Sequence, residues 1–353
     1  MDTQDVMNFY RGKKVLITGH TGFKGGWLAK LLLMAGADVT GYALEPQFEP
    51  NLFDLCGIKN EMASKIGDIR DFDRLKKVFD LAQPEFVFHL AAQPIVRESY
   101  RVPRYTYETN VIGTVNVCEC VRLSKSVGSF LNVTTDKVYE NKEWCWGYRE
   151  TEPLDGFDPY SNSKSCSELV THGYRNSFFC AEGIAASTAR AGNVIGGGDF
   201  SKDRIVPDAV RAAISGQKLI IRNPRSIRPY QYVLEPIFAY LMIAASQAKN
   251  PELVGAYNIG PNIEDTVTTE ELIKIFAEAW GNEFGYEVCK EENAPHEADT
   301  LYLDTSLIKK KIGWRPRMSI KDAVKKTVEW AKMWQEGRAY SCMDNQIKEY
   351  LNR

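Results

Sequence analysis

A short apolar run, Lys14-Val-Leu-Ile-Thr18, ends directly in Gly19-His-Thr-Gly22-Phe-Lys-Gly25, and an apolar stripe at helical spacing follows at once. Trp27, Leu28, Leu31, Leu32 and Ala35 fall on one helix face, and Gly36 ends the helix. A strand that turns through glycines into a helix restricts what the chain can become. The glycines permit a tight turn and close approach of backbone to a ligand. The helix N-terminus then presents free N–H groups and a positive dipole to a phosphate. This order predicts a dinucleotide site on Gly19, His20, Gly22, Phe23, Lys24 and Gly25.

The same alternation continues downstream. Strands are expected at 38–43, 63–67, 85–90, 129–134 and 184–189, with helices at 71–81, 103–125 and 158–179, the last opened by Asp158 as N-cap and Pro159 at the first helical position. Strand, helix, strand at this spacing means parallel βαβ units with right-handed crossovers. The fold class expected is α/β, a Rossmann-type doubly wound parallel sheet over 1–190. Beyond Arg190 the pattern loosens into helices near 204–215, 235–249, 268–280 and 319–336. We read 191–229 and 261–353 as a smaller C-terminal α/β substrate-binding lobe, with 230–260 returning to the first domain.

Composition removes several alternatives. With 353 residues, 44% hydrophobic and 25% charged, the chain can bury a large core and is not disordered. A net charge of -2 leaves no basic footprint, so neither nucleic acid nor an acidic membrane is an expected partner. No stretch approaches the roughly 18 apolar residues of a membrane helix, and the first ten residues carry Asp2 and Asp5 rather than a signal peptide. A cytoplasmic location is expected. The eight cysteines form no CxxC pair and the four histidines are scattered, which predicts reduced thiols and no metal.

Nicotinamide dinucleotides differ at the adenosine ribose, which the end of the second strand usually reads. Gly41-Tyr-Ala-Leu44 has no acid there, and Glu45 lies just beyond. No Lys or Arg lies between Lys30 and Lys59 to receive a 2′-phosphate, so NAD is expected rather than NADP. For the chemistry, Tyr160 and Lys164 stand at i, i+4 on one helix face, where an ammonium would lower the phenol's pKa and make it a base. Upstream, Thr135, Asp136 and Lys137 follow the 129–134 strand, at the end where parallel sheets meet ligands.

The glycine loop resembles the TGxxGxxG turn of extended short-chain dehydrogenases/reductases. Together with Thr-Asp-Lys-Val-Tyr139 and Ala91-Ala-Gln-Pro-Ile-Val-Arg-Glu-Ser-Tyr100, the chain resembles the nucleotide-sugar 4,6-dehydratase family, and within it the members acting on CDP-glucose. The resemblance runs from about 10 to about 335. It implies a hydro-lyase that oxidises a sugar at C4 with NAD, loses water across C5–C6 and returns the hydride to C6. Thr135, Asp136, Lys137, Tyr160 and Lys164 would be catalytic, with Asp136 as the acid for the C6 hydroxyl and the C5 base left open between Lys137, Asp136 and water. Asp68 and Ile69 would contact adenine, and Leu90, Ala91 and Ala92 would lie along the cofactor. Gln93, Arg97, Ser99, Asn110, Asn193, Arg204, Arg228 and His296 would bind the sugar nucleotide. A homo-oligomer, dimer or tetramer, and a role in making deoxysugars for lipopolysaccharide O-antigen are implied too. A 4-epimerase of the same family would need only Thr135, Tyr160 and Lys164, and a non-catalytic dinucleotide sensor would not need the tyrosine-lysine pair.

Overall fold

The computed structural model of the chain describes residues 1–281, 284–289 and 301–353. Strands β1 (Lys14–Thr18), β2 (Asp38–Ala43), β3 (Ala63–Ile66), β4 (Phe86–His89), β5 (Ser129–Val133), β6 (Ala185–Ala191) and β7 (Ala256–Ile259) form one seven-stranded sheet. Its order is β7-β6-β5-β4-β1-β2-β3, and each pairing is parallel. Both faces are covered, as parallel sheets require. Val15 and Ile17 of β1 point into one core with Trp27, Leu28 and Phe238, while Leu16 points into the other with Leu75, Val117 and Phe130. Helices α1 (Phe23–Met34) and α5 (Leu234–Lys249) cover the first face. The second is covered by α2 (Phe72–Ala82), α3 (Gly113–Leu123) and α4 (Pro159–Tyr174).

Two features position the site. The order reverses between β1 and β4, which pair Val15 to Phe86, and a doubly wound sheet opens a crevice at such a reversal. The 230–260 segment also joins the sheet: β7 pairs with β6, and Gln247 on α5 donates to the carbonyls of Phe130 and Ala185 at 3.0 Å each. Short strand pairs such as Ile227–Arg228 with Val267–Thr268 build the region beyond it.

The single helix expected over 103–125 is interrupted. Pro103–Tyr107 and α3 are joined through a π turn, Glu108–Ile112, whose wider loop leaves the Asn110 carbonyl to the Thr114 hydroxyl at 2.7 Å. Helices Thr3–Tyr10 and Ala339–Leu351 also close the core. Tyr10 donates to the Leu241 carbonyl at 2.8 Å, and Tyr350 donates to Glu235 at 3.0 Å.

Leu131 in the central strand is fully buried. Leu131→Ala is expected to cost about 2–5 kcal/mol through lost transfer energy and the cavity left behind, read as a lower urea midpoint.

Candidate active site

The glycine loop is as tight as its sequence suggests. Gly19 has φ of 82°, and a Cβ on it would lie 2.7 Å from the Ala91 nitrogen. A Cβ on Gly25 would lie 2.0 Å from the Gly19 carbonyl oxygen. Helix α1 starts at Gly22 with no side-chain cap, so its first N–H groups face the crevice between β1 and β4 unclaimed by a capping side chain. Ala91 N donates to the Thr18 hydroxyl at 3.2 Å, which sets Leu90, Ala91 and Ala92 as the crevice's other wall. Chain geometry that only hydrogen side chains tolerate, beside an uncapped helix start, fits a pyrophosphate.

His20, Asp68 and Ile69 have partners of their own. The His20 ring takes the space where a Gly41 side chain would be, since a Cβ there would lie 2.2 Å from its Cγ. His20 Nε2 meets Ser64 Oγ at 2.7 Å, and burial holds its pKa down to about 4, so the ring is neutral. The end of β2 thus carries an imidazole from the loop instead of the acid usual there. Asp68 accepts from the Arg70 guanidinium at 2.7 and 3.0 Å, and Ile69 is buried against Gly113.

At the carboxyl ends of β5 and α4's first turn, the catalytic candidates come together. The Thr135 hydroxyl donates to Asp136 Oδ1 at 2.9 Å and accepts from Lys137 N at 3.4 Å. Asp136 is 2% exposed, its Oδ2 has no hydrogen-bond partner, and burial raises its pKa against the pull of Lys137 and Arg228. Burial pushes the Tyr160 phenol up to about 12, opposed by a hydrogen bond with Thr135 and by the Arg204 charge. Burial and the Lys24 ammonium bring Lys164 down to about 7, and its Nζ donates to the Val133 carbonyl at 3.1 Å. The expectation that Lys164 lowers the phenol's pKa is therefore corrected in the protein alone: loss of water dominates both groups. Lys24, from the glycine loop, points into this cluster, brought down to about 8 by burial and by Arg204, with Asp136 and Asp199 pulling back.

The expected sugar-nucleotide residues divide. The Asn110 amide accepts from Gln93 N at 2.8 Å and donates to the Gln93 carbonyl and Ser163 Oγ, so it ties the strand end to α4. Gln93 donates to Thr106 and accepts from Ile95 N, and Ser99 donates to the Val96 carbonyl with no exposure. All three are held by protein neighbours, Ser99 by its own helix and Asn110 by residues that the tertiary fold brings near. Arg97 sits on Val96–Arg101. Asn193 follows β6, and Arg204 pairs with Asp199 at 3.4 Å. Arg228 is 7% exposed, with its charge reaching Asp136. His296 lies outside the described residues. Beside Pro229 opens a cavity of about 670 Å³ lined by Trp144, Trp146, Arg149, Asn262, Tyr302 and Lys309, among others.

Two residues absent from the expected set lie behind the strand end: Glu168, one turn beyond Lys164, and Arg190, which pairs with it at 2.8 Å. The Tyr160, Lys164, Glu168 spacing of four was the available signal. Among the described residues no three His, Cys, Asp or Glu side chains gather so that they could hold a metal ion.

The sequence matches the family described as GDP-mannose 4,6 dehydratase over residues 16–327. It is 45% identical to a CDP-glucose 4,6-dehydratase of Salmonella typhimurium over 352 residues, covering 98% of each chain. Among solved structures it is similar to a dTDP-glucose 4,6-dehydratase from Streptomyces venezuelae with NAD bound, at TM-score 0.78 and 24% identity, covering 92% of this chain and 98% of that one. A UDP-glucose 4-epimerase from Thermotoga maritima gives the same TM-score at 23% identity, covering 91% and 99%.

Gly25→Ala forces a methyl into the Gly19 carbonyl. It is expected to abolish dinucleotide binding in a titration calorimeter while leaving the far-ultraviolet circular dichroism close to wild type.

Proposed function

The chain belongs to the GDP-mannose 4,6-dehydratase family, and on that footing we propose that it is a CDP-glucose 4,6-dehydratase, converting CDP-D-glucose to CDP-4-keto-6-deoxy-D-glucose and water. The observation that carries the reading is Asp136: a buried carboxyl with one unpartnered oxygen, beside Thr135 and Tyr160, and with a raised pKa. An epimerase needs no proton donor at that place. A dehydratase does, because the C6 hydroxyl leaves as water only after it gains a proton.

The glycine loop, the α1 N-terminus and the Leu90–Ala92 wall would hold NAD. Bound there, it would supply the acceptor for the C4 hydride and the donor of that hydride to C6. Tyr160 takes the proton of the C4 hydroxyl, which Thr135 holds in place. The resulting 4-ketone acidifies the C5 hydrogen. Burial disfavours the Asp136 anion, and the carboxyl delivers its proton to the departing C6 oxygen. Lys137, whose charge lies next to Asp136, stabilises the enolate that forms when a water molecule takes the C5 proton, which returns to C5 as C6 is reduced. The cavity beside Pro229 is within the size range of small-molecule sites, and its two tryptophans with Arg149 and Lys309 suit the nucleotide end.

The same reading places the enzyme in a reducing, cytoplasmic compartment, supported by eight free thiols. No described helix is long and apolar enough to cross a membrane. It also makes the enzyme a homo-oligomer, its partner a second copy of the chain. Ile112 and Leu169 are 52% and 57% exposed on the adjoining 103–123 and 159–174 helices, where such a copy would cover them. Light scattering is expected to give at least a dimer, and Ile112→Glu a monomer; a monomeric wild type would refute this part.

CDP-glucose with deuterium at C4 tests the activity. A 4-keto-6-deoxy product with deuterium at C6, seen by mass spectrometry and NMR, is expected; a C4-inverted hexose that keeps its C4 deuterium would make the protein an epimerase. Asp136→Asn is expected to slow water loss by about 10²–10⁴-fold while C4 oxidation persists, read as reduced-cofactor absorbance in a single turnover.

A further inference from the structure

We propose that Glu168, held by Arg190, is a positioning residue for this reaction, anchoring the end of β5 that carries Thr135 and placing a negative charge one helical turn from Lys164. The inference rests on the roles given above to Tyr160 and Thr135, with Lys164 as the ammonium that stands beside the Tyr160 phenolate during turnover.

Both oxygens of Glu168 are claimed, and Glu168 and Arg190 are each 3% exposed. One oxygen accepts a short hydrogen bond from the Thr134 hydroxyl, the residue before Thr135. The other accepts from Thr188 Oγ1 at 2.7 Å and from Arg190 at 2.8 Å. Thr134 N in turn donates to the Ala189 carbonyl at 2.8 Å, so the carboxylate pins the point where β5 and β6 end together. Arg190 also donates to the Tyr139 hydroxyl at 2.9 Å and the Glu150 carbonyl at 3.1 Å.

A buried ion pair is a poor way to gain stability, because the lost hydration of both ions offsets most of their attraction. A well-packed apolar pair would serve a purely structural end as well. The charge has a different use. Lys164 is surrounded by influences that remove its proton: burial first, then the Lys24 ammonium from α1. His89, at the end of β4, is neutral and offers it no negative charge. Tyr160 on its own helix keeps its proton. Glu168, one turn along α4, is the group that pulls Lys164 back towards its charged form. Arg190 in turn pairs with that carboxylate at 2.8 Å.

The sign of the effect follows. Without the Glu168 charge, Lys164 loses its proton at a lower pH, so activity that needs the ammonium fails from a lower pH upwards. Turnover of CDP-glucose by wild type, Glu168→Gln and Glu168→Asp is measured across pH, after circular dichroism establishes folding. Glu168→Gln is expected to move the alkaline limb of kcat about one unit lower, giving about a tenfold deficit above the limb. The deficit narrows in acid, and KM changes less than about twofold. Glu168→Asp keeps the charge but draws it back by one methylene. It moves the limb the same way by a fraction of a unit, so it decides the question even if Glu168→Gln does not fold. A deficit equal at every pH overturns the part that concerns Lys164, unchanged kcat overturns the proposal whole, and either leaves the dehydratase reading intact. Wild type that does not dehydrate CDP-glucose overturns both.

Discussion

A parallel sheet covered by helices on both faces leaves polar side chains one outlet, the carboxyl edge of its strands. In this chain the faces of β1 send Val15 and Ile17 one way and Leu16 the other, all into apolar cores. Thr18, His89, Asn132, Thr134 and Arg190 are therefore crowded towards one end, with little water to satisfy them. They satisfy each other. Thr18 meets His89 at 2.7 Å, His89 meets Thr114 at 3.1 Å, and Thr114 meets Ser167 at 2.9 Å. This hydrogen-bonded floor gives the catalytic side chains fixed positions.

The same shortage of water sets the charge states above the floor. Tyr160 and Asp136 are both displaced towards keeping their protons, and Lys24 and Lys164 towards losing theirs. Burial opposes charge of either sign, so the group with the nearest compensating partner decides which charges survive. Lys164 has Glu168, and Asp136 has Lys137 and Arg228. A sugar hydroxyl entering this space meets a buried carboxyl whose anion is disfavoured, suited to giving up a proton, and a phenol that takes one only after losing its own.

Much of this was legible in the chain because it is local. The glycine turn, the capped start of α4 and the strand alternation are written in a few consecutive residues each, and hydrophobic spacing reports them directly. The tyrosine-lysine spacing gave a shared helix face. Distances across the fold were another matter. Asn110 and Gln93 sit near the right strand end, yet their amides are taken by Ser163 and Thr106, and no spacing rule exposes that. The π turn at Glu108–Ile112 depends on a neighbour's hold on Asn110, and the His20 ring over Gly41 on a contact between loop and strand. Glu168 and Arg190 lie on separate elements and look like ordinary surface charges until the sheet is assembled.

The order of the sheet has a kinetic side. The crevice exists only when β1 lies beside β4, and the contacts that close it, such as Thr18 with His89, join residues 71 apart in sequence. Closing so long a loop is entropically slow compared with forming α1 or pairing β1 with β2. The binding crevice therefore assembles after α1 and the β1–β2 pair. A ligand that grips the glycine turn and the Leu90–Ala92 segment together binds only chains that have completed this step. Its free energy falls on the native state alone, so the cofactor pool of the cell becomes a term in how much of the chain stays folded.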